Sequence, residues 1–318
     1  MKIRFFSDAY KGKRASHRLR GEVTADALAR QGIDSAILRD WSDVDANTIV
    51  VFLKRSQPES ILRAKSLGAY TVYDLCDNKF GEKEEYVPCC LAADLVSANS
   101  ENMALAAKEN AGRTAIVMPD PYERPRLEPH FQPNTPIKLL WFGSQSSFKF
   151  FPLAEVWQRL EREIVDYEFT MISAKTDRVL SKMQTRQQKG QIRGINFSKI
   201  KMEEWTWERQ GQLLAQADIV LMPVQTDNPR TDTKSANRLI DSIISGCYVI
   251  TTPLASYLEF GDYTWQQDYI QGIKWAIANP NRVNKAIARG QKYVANKFSA
   301  ETLSSQFYNS IINAKQLL

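Results

Sequence analysis

Four short, largely apolar runs constrain this chain most: residues 47–53 (NTIVVFL), 137–142 (IKLLWF), 218–222 (DIVLM) and 247–252 (CYVITT). A strand with one face in water alternates apolar and polar residues. A strand without that alternation is covered on both faces, which is the condition of a parallel sheet. Further strands are expected at 2–7, 33–38, 69–75, 94–99, 114–118, 167–172 and 192–197. Helical spacing fills the gaps at 16–31, 58–67, 100–110, 152–163, 208–216, 268–278, 280–297 and 299–315, with partial helix over 82–91. Ser100 and Ser299 are the expected N-caps of their helices. Strand and helix alternate throughout, which predicts α/β architecture with doubly wound parallel sheets.

The alternation is interrupted once. Residues 119–136 are rich in proline, lack a period and read as a linker. The expected division is therefore an N-terminal Rossmann-like domain at 1–118, the linker, a C-terminal Rossmann-like domain at 137–298, and a last helix at 299–318. Two such halves place the functional cleft between them. At 318 residues the chain has room for two cores.

Composition narrows the function. No apolar run reaches the roughly 18 residues of a membrane span, and the N-terminus, MKIRFFSDAYKGKR, has no apolar segment of the signal-peptide kind. A cytoplasmic protein with reduced cysteines is the expectation. The four cysteines form no C-x-x-C pair and the two histidines, His17 and His130, are far apart, so neither a zinc site nor another metal site is expected. The net charge of +6 suits anionic partners. The basic residues are scattered and match no nucleic-acid motif, so no nucleic-acid partner is expected. The charge is also compatible with peripheral contact at a membrane surface.

Residues 231–260 carry the densest chemistry. Lys234, Asn237, Arg238 and Asp241 fall at i, i+3, i+4 and i+7, the spacing of one helical face. Leu239, Ile240, Ile243 and Ile244 supply an apolar face, Gly246 a stop, and Pro253 ends the strand that follows. Ligands of open α/β sheets bind at the carboxyl ends of strands and at helix N-termini, and cations there suit a diphosphate. The same spacing also fits a solvated helix face with ordinary ion pairs. Asp77 and Asn78 end another strand, where they suit either an acceptor hydroxyl or a simple turn. Arg18 is expected to face the cleft and Arg20 to face solvent. His17, Trp205 and Trp207 each read as core or surface residues before they read as a base or a stacking platform, and Ser256 and Tyr257 are candidates to line the donor pocket through their loop.

Four segments in order resemble the GT-B glycosyltransferases of the retaining, family 4-like group. They are ASHRLRG at 15–21 with ADAL at 25–28, VVFLKR at 50–55 with YDLCDN at 73–78, ADLVS at 93–97 with Ser100 and VMPDP at 117–121, and the stretch from Lys234 to Pro253. The fold so implied is GT-B: two Rossmann-like domains facing a cleft, with the C-terminal helix crossing back to the N-terminal domain. The implied donor-site residues are Gly143, Ser144, Lys149, Lys234, Ser235, Asn237, Arg238 and Asp241. The acceptor side would hold Ser16, Arg18, Asp77 and Asn78, and Asp77, Lys149 and Arg238 are the catalytic candidates. Asp241 matches the second of the family's two spaced acids, the ribose contact. The first acid falls on Thr233, beside Asp232, and Ser144 stands where the family's diphosphate loop has arginine.

The resemblance implies transfer of a sugar from a nucleotide-sugar donor, UDP- or GDP-linked, to a glycan or lipid-linked acceptor. Retention of configuration, independence of metal and absence of a separate cofactor are implied with it, as is polysaccharide biosynthesis. A catalytically inactive nucleotide- or sugar-binding relative is the alternative that the Thr233 and Ser144 departures favour. A nucleotide-sugar epimerase on the same fold is another, although the chain is poor in histidine.

Overall fold

The computed structural model describes residues 1–9, 15–54, 56–133, 135–144, 147–148, 151–174, 177–226 and 229–317. The chain forms two compact units. The first is Met1–Glu123 with Asp232–Asn237 and Asn296–Leu318, and the second is Arg124–Thr231 with Arg238–Ala295.

The first unit is built on a six-stranded parallel sheet. Its strands are β1 (Lys2–Phe6), β2 (Asp34–Ile37), β3 (Thr48–Phe52), β4 (Tyr70–Leu75), β5 (Leu95–Ala98) and β6 (Ala115–Val117), in the order β2-β1-β3-β4-β5-β6. Every residue of β3 and β4 is buried, the polar Thr48, Thr71 and Asp74 included, as central strands of a parallel sheet require. Successive side chains alternate between two cores. Ile49, Val51 and Val72 pack with Leu28, Phe307 and Ile311. Val50, Phe52, Tyr73 and Val96 pack with Ile61, Cys89, Met103 and Ala107. The C-terminal helix Ala300–Gln316 thus completes the first unit's core, although its residues are the last in the chain. Ser299 caps it by accepting a hydrogen bond from the Thr302 amide, and Ser100 caps Glu101–Ala111 through the Met103 amide.

The second unit carries a five-stranded parallel sheet: β7 (Ile137–Phe142), β8 (Tyr167–Ser173), β9 (Ile200–Glu204), β10 (Ile219–Met222) and β11 (Tyr248–Thr251), in the order β11-β10-β7-β8-β9. Leu139, Trp141, Phe169, Met171, Leu221 and Ile250 form one face of its core, closed by Val156, Trp157 and Leu160 of helix Leu153–Glu163.

Two sequence expectations are corrected here, and one helix is added. Residues 192–197 are not a strand; the edge strand is β9, reading IKMEE, which pairs parallel with β8. An edge strand needs only part of its surface covered, and Ile200 and Met202 alone reach the core, so the run was too polar to stand out. Helix Asp177–Gln188 was not foreseen, because Met183 is its one residue in that core and the rest of its sequence is polar. The first helix is not regular: Ala15–His17 and Thr24–Arg30 are α-helical, but Arg18–Val23 between them is a π-helical stretch. The wider turn changes which side chains share a face.

Gly246 closes the helix that runs into β11. Its φ is +81°, and a Cβ added there would lie 2.4 Å from the Glu128 carbonyl oxygen. Gly246→Ala combines a left-handed backbone cost of about 1–2 kcal/mol with a clash that only backbone movement relieves. A thermal melt is expected to show a drop of several degrees in the second unit's transition, at about 2–4 °C per kcal/mol. An unchanged melt would show that the 124–131 segment yields freely.

Candidate nucleotide-binding site

In the second sheet the strand order reverses at β7: β8 and β9 follow on one side, β10 and β11 on the other. Ligands of open α/β sheets bind beyond the carboxyl ends of the two strands at such a reversal. Those ends are Phe142-Gly143-Ser144 after β7 and Met222-Pro223-Val224 after β10. The turns there are fixed locally. The Val224 amide donates to the Thr252 hydroxyl at 2.7 Å, and the Thr251 hydroxyl donates to the Met222 carbonyl at 3.1 Å.

Arg238 is the cation at this point. It is the second residue of helix Asn237–Ile244, and its Nη1 donates to the Phe142 carbonyl at 2.9 Å. The guanidinium therefore lies at the carboxyl end of β7. Gly143 makes this approach feasible. A Cβ there would stand 3.0 Å from Arg238 Nη1 and 3.0 Å from the Trp141 ring, so a side chain would displace one or the other. The amides at the start of the same helix add the positive end of its dipole. Asp241, one turn further on, is buried at 4% exposure. The Ser144 and Ser147 hydroxyls lie 3.0 Å apart. Lys149 lies outside the described residues.

The structure brings Gly143, Ser144, Arg238 and Asp241 together in the second unit, but Lys234, Ser235 and Asn237 belong to the first. The expected single helical face is corrected accordingly: the helix begins at Asn237, and Lys234 precedes it. The polar groups just before it are occupied elsewhere in the first unit, so the chain is not free to coil. The Ser235 hydroxyl donates to the Asp120 carboxylate, the Ser100 hydroxyl to the Thr233 carbonyl at 3.0 Å, and the Asn102 amide to the Asp232 carbonyl at 3.1 Å. Thr233, where an acid was expected, is buried.

In the first unit the reversal falls between β1 and β3. Lys54, just after β3, forms an ion pair with Asp77, which lies beyond the end of β4. The buried His17 ring places Nε2 3.2 Å from the Lys54 carbonyl, which also accepts from the Ser7 hydroxyl at 2.8 Å. Arg18 grips Glu123 through two bonds, at 2.6 and 2.5 Å. Ser16 and Asn78 are half-buried. Trp207 carries the Arg124 guanidinium 3.4 Å over its ring, the Trp205 indole donates to Gln210, and Tyr257 is buried.

Arg20 was expected in solvent and is instead 2% exposed. Its Nη2 donates to Asp74 at 2.6 Å, and its Nη1 to Asp120 at 3.0 Å and to the Met118 carbonyl at 2.7 Å. The Ser97 hydroxyl completes the Asp74 shell at 2.6 Å. Burial alone would lower the Arg20 pKa, but the Asp74 and Asp120 carboxylates together outweigh it and the pKa is raised. Lys54 and the buried carboxylates Asp74 and Asp120 are the charged residues near the strand ends that sequence reasoning missed. Asp74 was masked by its apolar strand and Asp120 by the proline-rich segment. Among the described residues no group of three or more His, Cys, Asp or Glu side chains is placed to hold a metal ion.

No family model matches the sequence, and no curated protein sequence matches it either. Solved structures do match. HepE from Anabaena, determined with UDP-glucose, aligns with a TM-score of 0.68 at 12% identity over 98% of this chain and 100% of its own. The lipopolysaccharide outer core galactosyltransferase WaaB aligns at 0.61 and 12% identity, over 98% of this chain and 99% of its own. TarM from S. aureus aligns at 0.62 and 12% identity over 84% of this chain, which spans only 55% of TarM. The chain has the GT-B fold of these glycosyltransferases.

Removing Arg20 leaves two carboxylates buried without their counter-charge. Arg20→Ala is expected to lower stability by about 3–5 kcal/mol, the cost of breaking a buried pair, in a urea titration. A loss below 1 kcal/mol would mean that water readily reaches Asp74.

Proposed function

We propose that the protein is a glycosyltransferase that takes a sugar from a UDP-sugar, with a GDP-sugar as the second choice, and passes it to a glycan or lipid-linked acceptor. The observation that carries this reading is Arg238 at the carboxyl end of β7, held to the Phe142 carbonyl with Gly143 clearing the space beside it. The fold shared with HepE, a protein determined with UDP-glucose, and with the galactosyltransferase WaaB supports it.

In this reading the second unit binds the donor and the first unit the acceptor. When the sugar departs, negative charge grows on the diphosphate. Arg238 and the helix amides at Asn237–Ile244 face that charge and stabilise it more in the transition state than in the ground state. Lys149, Lys234 and Ser235 are proposed to add contacts, and Asp241 to hold the ribose. Fixed cations take the place of a divalent ion, so the reaction runs without metal, and attack from the departing side retains configuration. Asp77, placed by Lys54 beyond β4, is the proposed acceptor-side carboxylate. A second reading, a nucleotide-binding relative without activity, is favoured by buried Thr233 standing where an acid is expected.

Two measurements test this. A melt against UDP, GDP, ADP and CMP is expected to show selective stabilisation by one diphosphate, about 2.7 kcal/mol at 100 times its dissociation constant. UDP-glucose or a related sugar should then be consumed, by transfer or slow hydrolysis; binding without turnover supports the inactive relative. Arg238→Ala is expected to lower kcat by roughly 100- to 1,000-fold, as loss of one preorganised donor does. Gly143→Ala should weaken UDP binding by displacing the guanidinium. Full activity in Arg238→Ala would remove the basis of the proposal.

A further inference from the structure

At the outer edge of the second sheet lies a pocket of about 730 Å³, lined by Tyr248, Trp265, Trp275, Arg282, Lys285 and Arg289 among others. It flanks the edge strand β11, two strands away from β7 and Arg238. Its aromatic floor is held firmly. The Trp265 amide donates to the Val249 carbonyl at 3.0 Å and its carbonyl accepts from Thr251 at 2.9 Å, so Trp265 covers the open edge. Its indole presses on Gly272, where a Cβ would come within 2.6 Å, and donates to the Asp268 carbonyl. The Trp275 ring packs tilted against it, with centroids 5.5 Å apart, and against Tyr248 at 6.3 Å.

The pocket's other wall is helix Pro280–Lys297, whose 18 residues include no acid. Arg282, Lys285 and Arg289 lie along one exposed face while Val283, Ala286 and Ile287 are buried. Like charges three and four residues apart repel. The single carboxylate among the lining residues is Asp262, whose backbone carbonyl accepts from Arg289 at 3.3 Å. This run of cations extends about 10 Å along the helix axis, which suits repeated anionic groups better than one. The indoles already touch each other, so no flat base fits between them. They are half-buried rather than protruding, which is poor geometry for insertion into a membrane. Their remaining open surface suits the apolar face of a sugar ring.

We infer that this pocket is a second saccharide site, for a segment of acidic glycan whose carboxylate or phosphate groups meet Arg282, Lys285 and Arg289 while its rings lie against Trp265 and Trp275. The inference does not depend on the transferase reading, because it concerns the edge of β11 alone. Calorimetry with tetragalacturonate and neutral cellotetraose tests it on the full chain. Tetragalacturonate is expected to bind, to bind less well at high salt, and to weaken at least about tenfold, or 1.4 kcal/mol, in an Arg282→Ser, Lys285→Ser, Arg289→Ser triple variant. That variant changes only exposed side chains, so its melt should match the parent's, which confirms that it is folded. Absence of tetragalacturonate binding, equal affinity for cellotetraose, or an unchanged triple variant each overturns the proposal. So does binding of phosphatidylglycerol vesicles, rather than the saccharide, that depends on the three cations.

Discussion

A parallel sheet hidden on both faces can present chemistry only at the ends of its strands, and the rest of this structure follows from that constraint. The residues of β3 and β4 are wholly committed to burial, so no side chain within them is available to a ligand. What remains is the turn after each strand. The largest opening there is where neighbouring connections leave in opposite directions. Gly143 and Ser144 in the second unit and Lys54 and Asp77 in the first occupy turns after strands, and Arg238 reaches the turn after β7 from the start of its helix.

Two arginines show how position decides the use of a charge. Arg20 is enclosed by Asp74, Asp120, Ser97 and the Met118 carbonyl, with its hydrogen-bonding capacity spent within the protein. Its work is to tie β4 to the segment after β6, and through Asp120 to Ser235. Arg238 is anchored by one carbonyl bond and is half-buried at the end of β7. A charge held in place and, among the described residues, paired with no carboxylate is the arrangement that electrostatic stabilisation of a departing diphosphate calls for.

Much of this was legible beforehand, and for a physical reason. Largely apolar runs such as IKLLWF and DIVLM can satisfy burial in only one way, and caps such as Ser100 and Ser299 act on amides three residues away. The edge strand β9 and helix Asp177–Gln188 were not legible, because partly covered elements need few apolar residues. The start of helix Asn237–Ile244 was misplaced because helical spacing at Lys234 says nothing about the distant hydroxyls and carboxylates that hold the residues before it.

The sequence alone determined the α/β class, the two parallel sheets and the place of Gly143 just after a strand, since each rests on local spacing and on burial of apolar surface. Tertiary structure alone decided that Arg20 is buried while Arg238 is not, that the last helix joins the first core, and that Asp232–Asn237 is counted with the first unit. Those outcomes depend on pairs far apart in the chain, 54 residues for Arg20 with Asp74 and 133 for Ser100 with Thr233. The free energy of such a pair comes from partners that the local sequence does not contain.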